Sequence, residues 1–152
     1  MKIYISADIE GVAGIASASE ANMAMPGDYA PFRQQMAAEV MAASRGAFTA
    51  GATEILTKDA HGSGRNLVLS DFQVPEGKSF ELIRGWSGHP LGMVQEIDES
   101  FSGAVFIGFH CAAGQAGNPL APHNKWPAVC RDRTQWRNRI RTAPLCPRRC
   151  NS

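Results

Sequence analysis

Strand-like and helical segments alternate along most of the chain, and this alternation constrains the fold more than any other feature. Lys2–Ala7 alternates polar with apolar side chains, which predicts a first strand. Gly103–Phe109 is the most continuously apolar segment, which is typical of a strand buried on both faces. Strands that alternate with helices predict an α/β fold with a mostly parallel sheet and flanking helices. A second strand is predicted over Thr53–Thr57 and a short third strand over Ser79–Ile83.

A long helix is predicted between the first two strands, from Tyr29 to Ala50. Asp28 precedes it as a candidate N-cap, and Gly51 follows it as a candidate C′ residue. A short helix is predicted over Pro90–Glu96. The long helix has one apolar stripe at helical spacing, formed by Phe32, Met36, Val40, Ala43 and Phe48.

Side chains that can bind metals follow three of the predicted strands: Asp8 and Glu10 the first, Asp59 and His61 the second, and His110 the fourth. Taken singly, an acidic pair is commonly a solvated loop or a helix cap, and a lone histidine is commonly a core residue. In open α/β sheets, however, the carboxyl ends of the strands form the ligand crevice. The coincidence at three strand ends therefore predicts one shared metal site at this edge of the sheet.

The types of ligand in this set indicate which metal is expected. Histidine combined with carboxylate favours Zn²⁺ over Mg²⁺, which prefers all-oxygen surroundings. Asp59 is expected to orient the imidazole of His61. A carboxylate such as Asp8 can bridge two ions, and that arrangement suits hydrolysis by a pair of metals.

A glycine-rich loop after His110 contains Gly114, Gly117 and Asn118 and is a candidate substrate-binding loop, although it could also be a simple turn. It is neither a phosphate-binding P-loop nor a dinucleotide-binding fingerprint. The chain has no Gly-x-Ser-x-Gly motif, which argues against a serine hydrolase. Cys111 adjoins His110, but an unpaired cysteine more often packs in a core than acts as a nucleophile.

The charge of the chain changes sharply near residue 124. Residues 1–124 carry a net charge of −6 and residues 125–152 carry +7, which together give the overall +1. The last segment is rich in arginine, proline, cysteine and tryptophan and has no helical or strand periodicity. The sequence therefore predicts an α/β metal-binding catalytic domain over residues 1–121 and an irregular basic tail over residues 122–152. The tail could be a nucleic-acid arm, a metal-binding knuckle, or peptide that does not belong to this domain.

The hydropathy pattern predicts a soluble cytoplasmic protein with no membrane partner. Hydrophobic residues make up 44% of the chain, but no apolar run approaches the roughly 20 residues that a membrane helix needs. The first residues also lack the apolar core of a signal peptide.

Three stretches together resemble the zinc-dependent D-aminopeptidases of the DppA type: residues 2–11 (KIYISADIEG), 58–61 (KDAH) and 103–110 (GAVFIGFH). The resemblance spans about residues 1–121. It implies that Asp8 bridges two zinc ions, that Glu10 and His110 bind one of them, and that His61 binds the other. It further implies that the substrates are short peptides with an N-terminal D-residue, which the enzyme removes, and that the protein forms a ring-shaped homo-oligomer.

The chain departs from this family after the glycine-rich loop. Family members are considerably longer than these 152 residues, and they carry a catalytic histidine just after the loop and a zinc-binding glutamate beyond it. Here His123 is the nearest candidate for the catalytic histidine, one position too late and directly after Pro122. The tail contains no glutamate, and Arg141 stands where the zinc-binding glutamate is expected.

We predict a single-base frameshift near codon 122, which would account for both departures. When the codons of residues 122–127 are read one base later, they can encode His-Thr-Ile-Asn-Gly, which has the family's histidine context. The same shift across residues 132–141 allows an acidic segment like the one that bears the missing glutamate. The basic tail is therefore predicted to be out of frame, and the peptidase activity of this chain is predicted to be impaired.

Two alternative functions remain open on the sequence alone. The same set of aspartate and histidine residues suits a metal-dependent phosphohydrolase. The basic tail suits a non-catalytic domain that binds nucleic acid. No known nucleic-acid-binding module accompanies the tail, so nucleic acid is not the expected partner.

Overall fold

The computed structural model describes residues 1–110, which form a four-stranded parallel sheet with one long helix. All three strand pairs are parallel, in the order β3-β2-β1-β4. This confirms the predicted α/β fold class. The elements are β1 (Lys2–Ala7), α1 (Pro26–Thr49), β2 (Glu54–Asp59), β3 (Ser79–Ile83) and β4 (Gly103–Ile107), with short 3-10 turns at Leu69–Asp71 and Gly92–Val94.

The winding of the sheet reverses between β1 and β4. The chain moves outward from β1 to β2 and β3, and it then returns to the other side of β1 to form β4. Ala7 is in register with Asp59 on β2 and with Ile107 on β4, so the carboxyl ends of these three strands lie level. In open α/β sheets, ligands bind outside the carboxyl ends of the strands at such a switch point.

Helix α1 begins three residues before the predicted start and ends at Thr49, one residue before the predicted end. Its N-cap is Met25 and not Asp28, because Pro26, with a fixed φ and no N–H, is well suited to the first helical position. Asp28 lies in the first turn, where its charge still favours the helix N-terminus. Gly51 has a φ of +97°, and its N–H and that of Ala52 bond back to carbonyls of the last turn, as in a Schellman motif.

The two faces of the sheet are covered differently. Helix α1 packs on one face, where its predicted stripe meets apolar residues of β1 and β2 in the larger core cluster. The opposite face holds a smaller cluster around Tyr4, Leu56 and Val94. Within residues 1–110, no helix is long and apolar enough to cross a membrane.

Three predictions about the strands and the short helix need correction. β2 continues to Asp59, two residues further than predicted, and only Gly92–Val94 of the predicted short helix forms a 3-10 turn. The prediction that Gly103–Phe109 is a strand buried on both faces is wrong. β4 ends at Ile107 and is the outer strand of the described sheet, so that Val105 and Phe106 are 38% and 41% exposed. Apolar content alone does not reveal which strand has a neighbour on only one side.

Candidate metal centre

The loops that follow β1 and β4 pack against each other at the switch point. The N–H of Asp8 bonds to the carbonyl of Ile107 at 2.9 Å, which extends the β1–β4 ladder by one step. A Cβ on Gly108 would lie 2.0 Å from the Asp8 carbonyl oxygen, and one on Gly11 would lie 2.7 Å from that of Gly108. Only glycine allows the two loops to come this close, and this contact brings Asp8 and Glu10 next to His110.

The four side chains predicted as metal ligands converge at this point. Ligand atoms of Asp8, Glu10 and His110 all lie within 4.8 Å of one another, and His110 Nε2 is 3.3 Å from Glu10 Oε2. His61 Nδ1 is 3.0 Å from Asp8 Oδ1 and 3.8 Å from Glu10 Oε2. Ligands about 2.0–2.1 Å from a tetrahedral zinc ion are separated by about 3.3 Å. The donor types therefore suit zinc, and the 3.3 Å between His110 Nε2 and Glu10 Oε2 matches that separation.

The imidazole of His61 is held at both of its nitrogens. Nε2 lies 2.9 Å from the carbonyl oxygen of Ala21, which can only accept, so the proton is assigned to Nε2. In the neutral ring this leaves a lone pair on Nδ1 that faces a carboxylate oxygen of Asp8. Two lone pairs at this distance need a proton or a metal ion between them. A metal-binding histidine commonly donates its other N–H to a backbone carbonyl in this manner.

Two pKa shifts show that the centre favours additional positive charge. Burial, together with the neighbouring Asp8 carboxylate, raises the pKa of Glu10 even though His61 and His110 oppose the shift. Burial alone would lower the pKa of His61, but the hydrogen bond to Asp8 and the charges of Asp8 and Glu10 outweigh it and raise that pKa. A divalent cation would supply the charge that these groups otherwise obtain from protons.

Asp59 does not contact the His61 ring, so the predicted direct pairing is corrected. Its carboxylate accepts bonds from the backbone N–H groups of Asn66 and Leu67 at 2.6 and 2.7 Å, and from Asn66 Nδ2 at 2.7 Å. Asn66 Nδ2 also donates to the backbone carbonyl of His61 at 2.8 Å. Asp59 therefore stabilises the loop that carries His61 through Asn66, and it does not act on the imidazole.

A cleft of about 270 Å³ opens beside Glu10 and His61. One wall comes from the segment before α1, including Ala18, Ala21 and Met23, and the other from residues 62–66. The sequence did not indicate that the segment before α1 forms part of the site. That segment contributes a backbone carbonyl and small side chains, and neither has a recognisable sequence signature. The expected substrate loop with Gly114, Gly117 and Asn118, and the candidate catalytic His123, lie outside the described residues, as do Cys111 and Arg141.

The comparison with known proteins gives the family of the chain. The family model described as D-aminopeptidase (peptidase family M55) matches residues 1–128. The chain belongs to this family. Its members are metallopeptidases, and the donor set at the switch point provides ligands of the type that zinc requires.

Two comparisons concern D-aminopeptidase from Bacillus subtilis. The curated D-aminopeptidase of strain 168 is 33% identical over 117 residues, which are 77% of this chain and 40% of the relative. The solved structure described as the Zn-dependent D-aminopeptidase DppA, a self-compartmentalizing protease, superposes with a TM-score of 0.68 at 33% identity, over 76% of this chain and 40% of that one. The chain thus spans about two-fifths of the length of these relatives.

Proposed function

We propose that this chain carries the N-terminal part of a D-aminopeptidase metal centre and that it binds zinc through Asp8, Glu10, His61 and His110. Asp8 would hold both ions of the pair that the family resemblance implies, Glu10 and His110 would hold one, and His61 would hold the other. The observation that carries the proposal is the convergence of the four side chains at the β1–β4 switch point. The substrates are short peptides, from which the intact family centre removes an N-terminal D-residue. The preference for the D-configuration rests on the family relationship.

Bound zinc would polarise the peptide carbonyl and lower the pKa of a bound water. Residues of the chain supply the negative charge and the ligand orientation that this chemistry needs. Asp8 and Glu10 supply negative charge at a partly buried site, and Ala21 fixes the orientation of the His61 ring. The small side chains of Ala18 and Ala21 leave room for a short peptide in the cleft next to Glu10 and His61.

Catalysis by this chain is proposed to be impaired, because two positions to which the family resemblance assigns a function are changed. His123 follows Pro122 one position beyond the expected catalytic histidine, and Arg141 replaces a carboxylate by a cation. A homo-oligomer is proposed because the structural relative is a self-compartmentalizing protease. A cytoplasmic location remains a prediction from the sequence.

Zinc binding by the full chain tests the proposed centre. At a free zinc concentration 100 times the Kd, binding should raise the free energy of unfolding by about 2.7 kcal/mol. His61→Ala should remove most of that shift. The matched control is His89→Ala, which should leave the shift unchanged, because within residues 1–110 the His89 ring accepts a local hydrogen bond from Leu91 N–H, outside the centre. No stabilisation of the wild-type chain, or equal stabilisation of both variants, would contradict the proposal.

Hydrolysis assays test the substrate class and the impairment. D-alanyl p-nitroanilide should be cleaved in preference to the L-isomer, and more slowly than by the Bacillus subtilis relative in the same zinc buffer. Turnover equal to that of the relative would contradict the impairment. Cleavage of p-nitrophenyl phosphate instead would favour the phosphohydrolase alternative. Sequencing the coding DNA across codons 115–145 tests the frameshift, which requires the shifted frame to continue the family pattern.

A further inference from the structure

A buried lysine lies on the face of the sheet opposite α1, and it is close in sequence to the metal-centre residue His61. Lys58 is fully buried near the end of β2, three residues before His61, and it has no part in the centre described above. Its Nζ donates to the carbonyl of Gly85 and lies 4.3 Å from the centre of the Trp86 ring. A buried ammonium is costly unless it is paired, and the hydrogen-bond and ring partners that Lys58 has within residues 1–110, Gly85 and Trp86, belong to a single loop. Lys58 therefore fixes residues 84–86 to the end of β2.

The same loop is bonded to the segment that carries His61. Trp86 Nε1 donates to the carbonyl of Gly62 at 2.6 Å, and the N–H of Gly85 donates to the carbonyl of Gly64 at 2.7 Å. A Cβ on Gly64 would lie 2.9 Å from the nitrogen of Gly85, so glycine is needed for this approach. The two loops are thus joined by backbone and indole hydrogen bonds directly beside His61.

We propose that Lys58 and Trp86 are positioning residues for His61. The backbone carbonyl of His61 is held by Asn66 from one side, and the next carbonyl, that of Gly62, is held by Trp86 from the other. Holding both carbonyls fixes the peptide that carries the imidazole. The ring then stays between Ala21 and Asp8 before any ligand arrives. The consequence for zinc affinity rests on the proposed function, whereas the effect on the ring position does not.

Trp86→Phe is the primary variant, because it keeps one aromatic ring for Lys58 and removes the indole N–H donor together with the second ring. Tyr4→Phe is the matched control, since it removes a similar donor, from the hydroxyl of Tyr4 to the carbonyl of Gln95 at 2.7 Å, without touching the His61 loop. Lys58→Met is a second variant that releases Gly85 and Trp86 together. All variants are made in the full chain, and thermal unfolding establishes that each one folds.

The first readout is the NMR signal of the His61 Nε2 proton in the metal-free chain. In the wild type this proton should be protected from solvent, because it is bonded to Ala21. The signal should be lost in Trp86→Phe and Lys58→Met and kept in Tyr4→Phe. A signal unchanged in Trp86→Phe and Lys58→Met would overturn the proposal.

The second readout is zinc affinity, measured by competition with a chromophoric chelator. Trp86→Phe should weaken zinc binding about tenfold, the size typical of residues that orient a metal ligand. In a His61→Ala background, Trp86→Phe should weaken it no further, since its effect passes through His61. The same tenfold loss in both backgrounds would overturn the proposal by showing that Trp86 acts elsewhere. If the wild type binds no zinc, the proposed function fails, and the NMR signal alone decides the role of Trp86.

Discussion

The two faces of the sheet are stabilised by different forces, although the same strands form both. On the face covered by α1, Ile5 and Ile55 pack against Met36 and Val40 in a continuous apolar cluster. Within residues 1–110, the other face has a much smaller apolar cluster, and three buried or partly buried donors reach from it to carbonyls of the 85–95 segment. These donors are Tyr4 to Gln95, Ser6 to Met93 and Lys58 to Gly85.

This difference separates stability from the placement of the functional loops. Apolar burial is non-directional and scales with the area removed from water, so the α1 face supplies much of the stability. Hydrogen bonds are directional, so the opposite face specifies where the 85–95 segment lies. Only the end of that segment held by Lys58, at Gly85 and Trp86, is bonded to the loop of His61, and through it this face connects to the metal centre.

The largest loss of stability is expected from a substitution that leaves a cavity on the α1 face. Met36 is fully buried, and Met36→Ala should lower the free energy of unfolding by about 2–5 kcal/mol. The matched control is Met25→Ala, since Met25 is 53% exposed and the same substitution there should change stability by about 0.5 kcal/mol or less. Chemical denaturation measures both. Equal effects in the two variants would mean that the helix is not stabilised by this packing.

A smaller loss of stability is expected when the hydroxyl donor of Tyr4 is removed from the opposite face. Burial, followed by the charge of Glu96, raises the pKa of Tyr4, so its hydroxyl stays protonated and donates to Gln95. Tyr4→Phe keeps the edge-to-face contact with Phe101 and should lower the free energy of unfolding by about 1–2 kcal/mol. Unchanged stability would show that packing alone stabilises this face.

The ion pair between α1 and the 3-10 turn at Leu69–Asp71 should raise the free energy of unfolding by about 1 kcal/mol. This contribution should depend on pH. Arg33 bonds to both carboxylate oxygens of Asp71, at 2.8 and 3.0 Å, and this pairing lowers the pKa of Asp71. A lowered folded-state pKa stabilises the protein above the unfolded value of about 3.9, and the contribution is lost as the pH falls through the folded value. Asp71→Asn should therefore be less stable than the wild type at pH 7.

The pH dependence provides the control for this pair. As the pH falls below about 4, the difference in unfolding free energy between Asp71→Asn and the wild type should shrink. A difference that stays constant from pH 7 to pH 3 would assign the loss to packing and not to charge. The comparison is made by denaturant titration at each pH in the same low-salt buffer.

The sequence predicted most of what local chemistry and topology rules control. β1 and β3 have their predicted bounds, and Gly51 ends α1 because its positive φ suits glycine. Asp8 and His110 were predicted to meet because the ends of parallel strands lie at one edge. That inference needed only the order of the strands along the chain and the rule for where such sheets bind ligands.

The remaining features depend on contacts between distant parts of the chain. The carbonyl of Ala21 orients His61, and any residue has a carbonyl, so no residue type signals it. Asp59 bonds to Asn66 and Leu67 because the loop after β2 turns back toward it, which residue spacing did not reveal. The exposure of β4 depends on its position in the strand order, and composition does not determine that position.

The smallest effect, and the only stabilising one, is expected at Thr57 on the α1 face. Thr57 is fully buried, and its hydroxyl has no hydrogen-bond partner within residues 1–110. Thr57→Val replaces the hydroxyl by a methyl group of similar size and should raise the free energy of unfolding by up to about 1 kcal/mol, because a buried polar group without a partner is removed. Thr53→Val is the control, since the Thr53 hydroxyl is bonded to the chain N-terminus at 3.2 Å and gains nothing from the change. If Thr57→Val is instead destabilising, the hydroxyl bonds to a buried water, and the α1 face depends on directional contacts as the opposite face does.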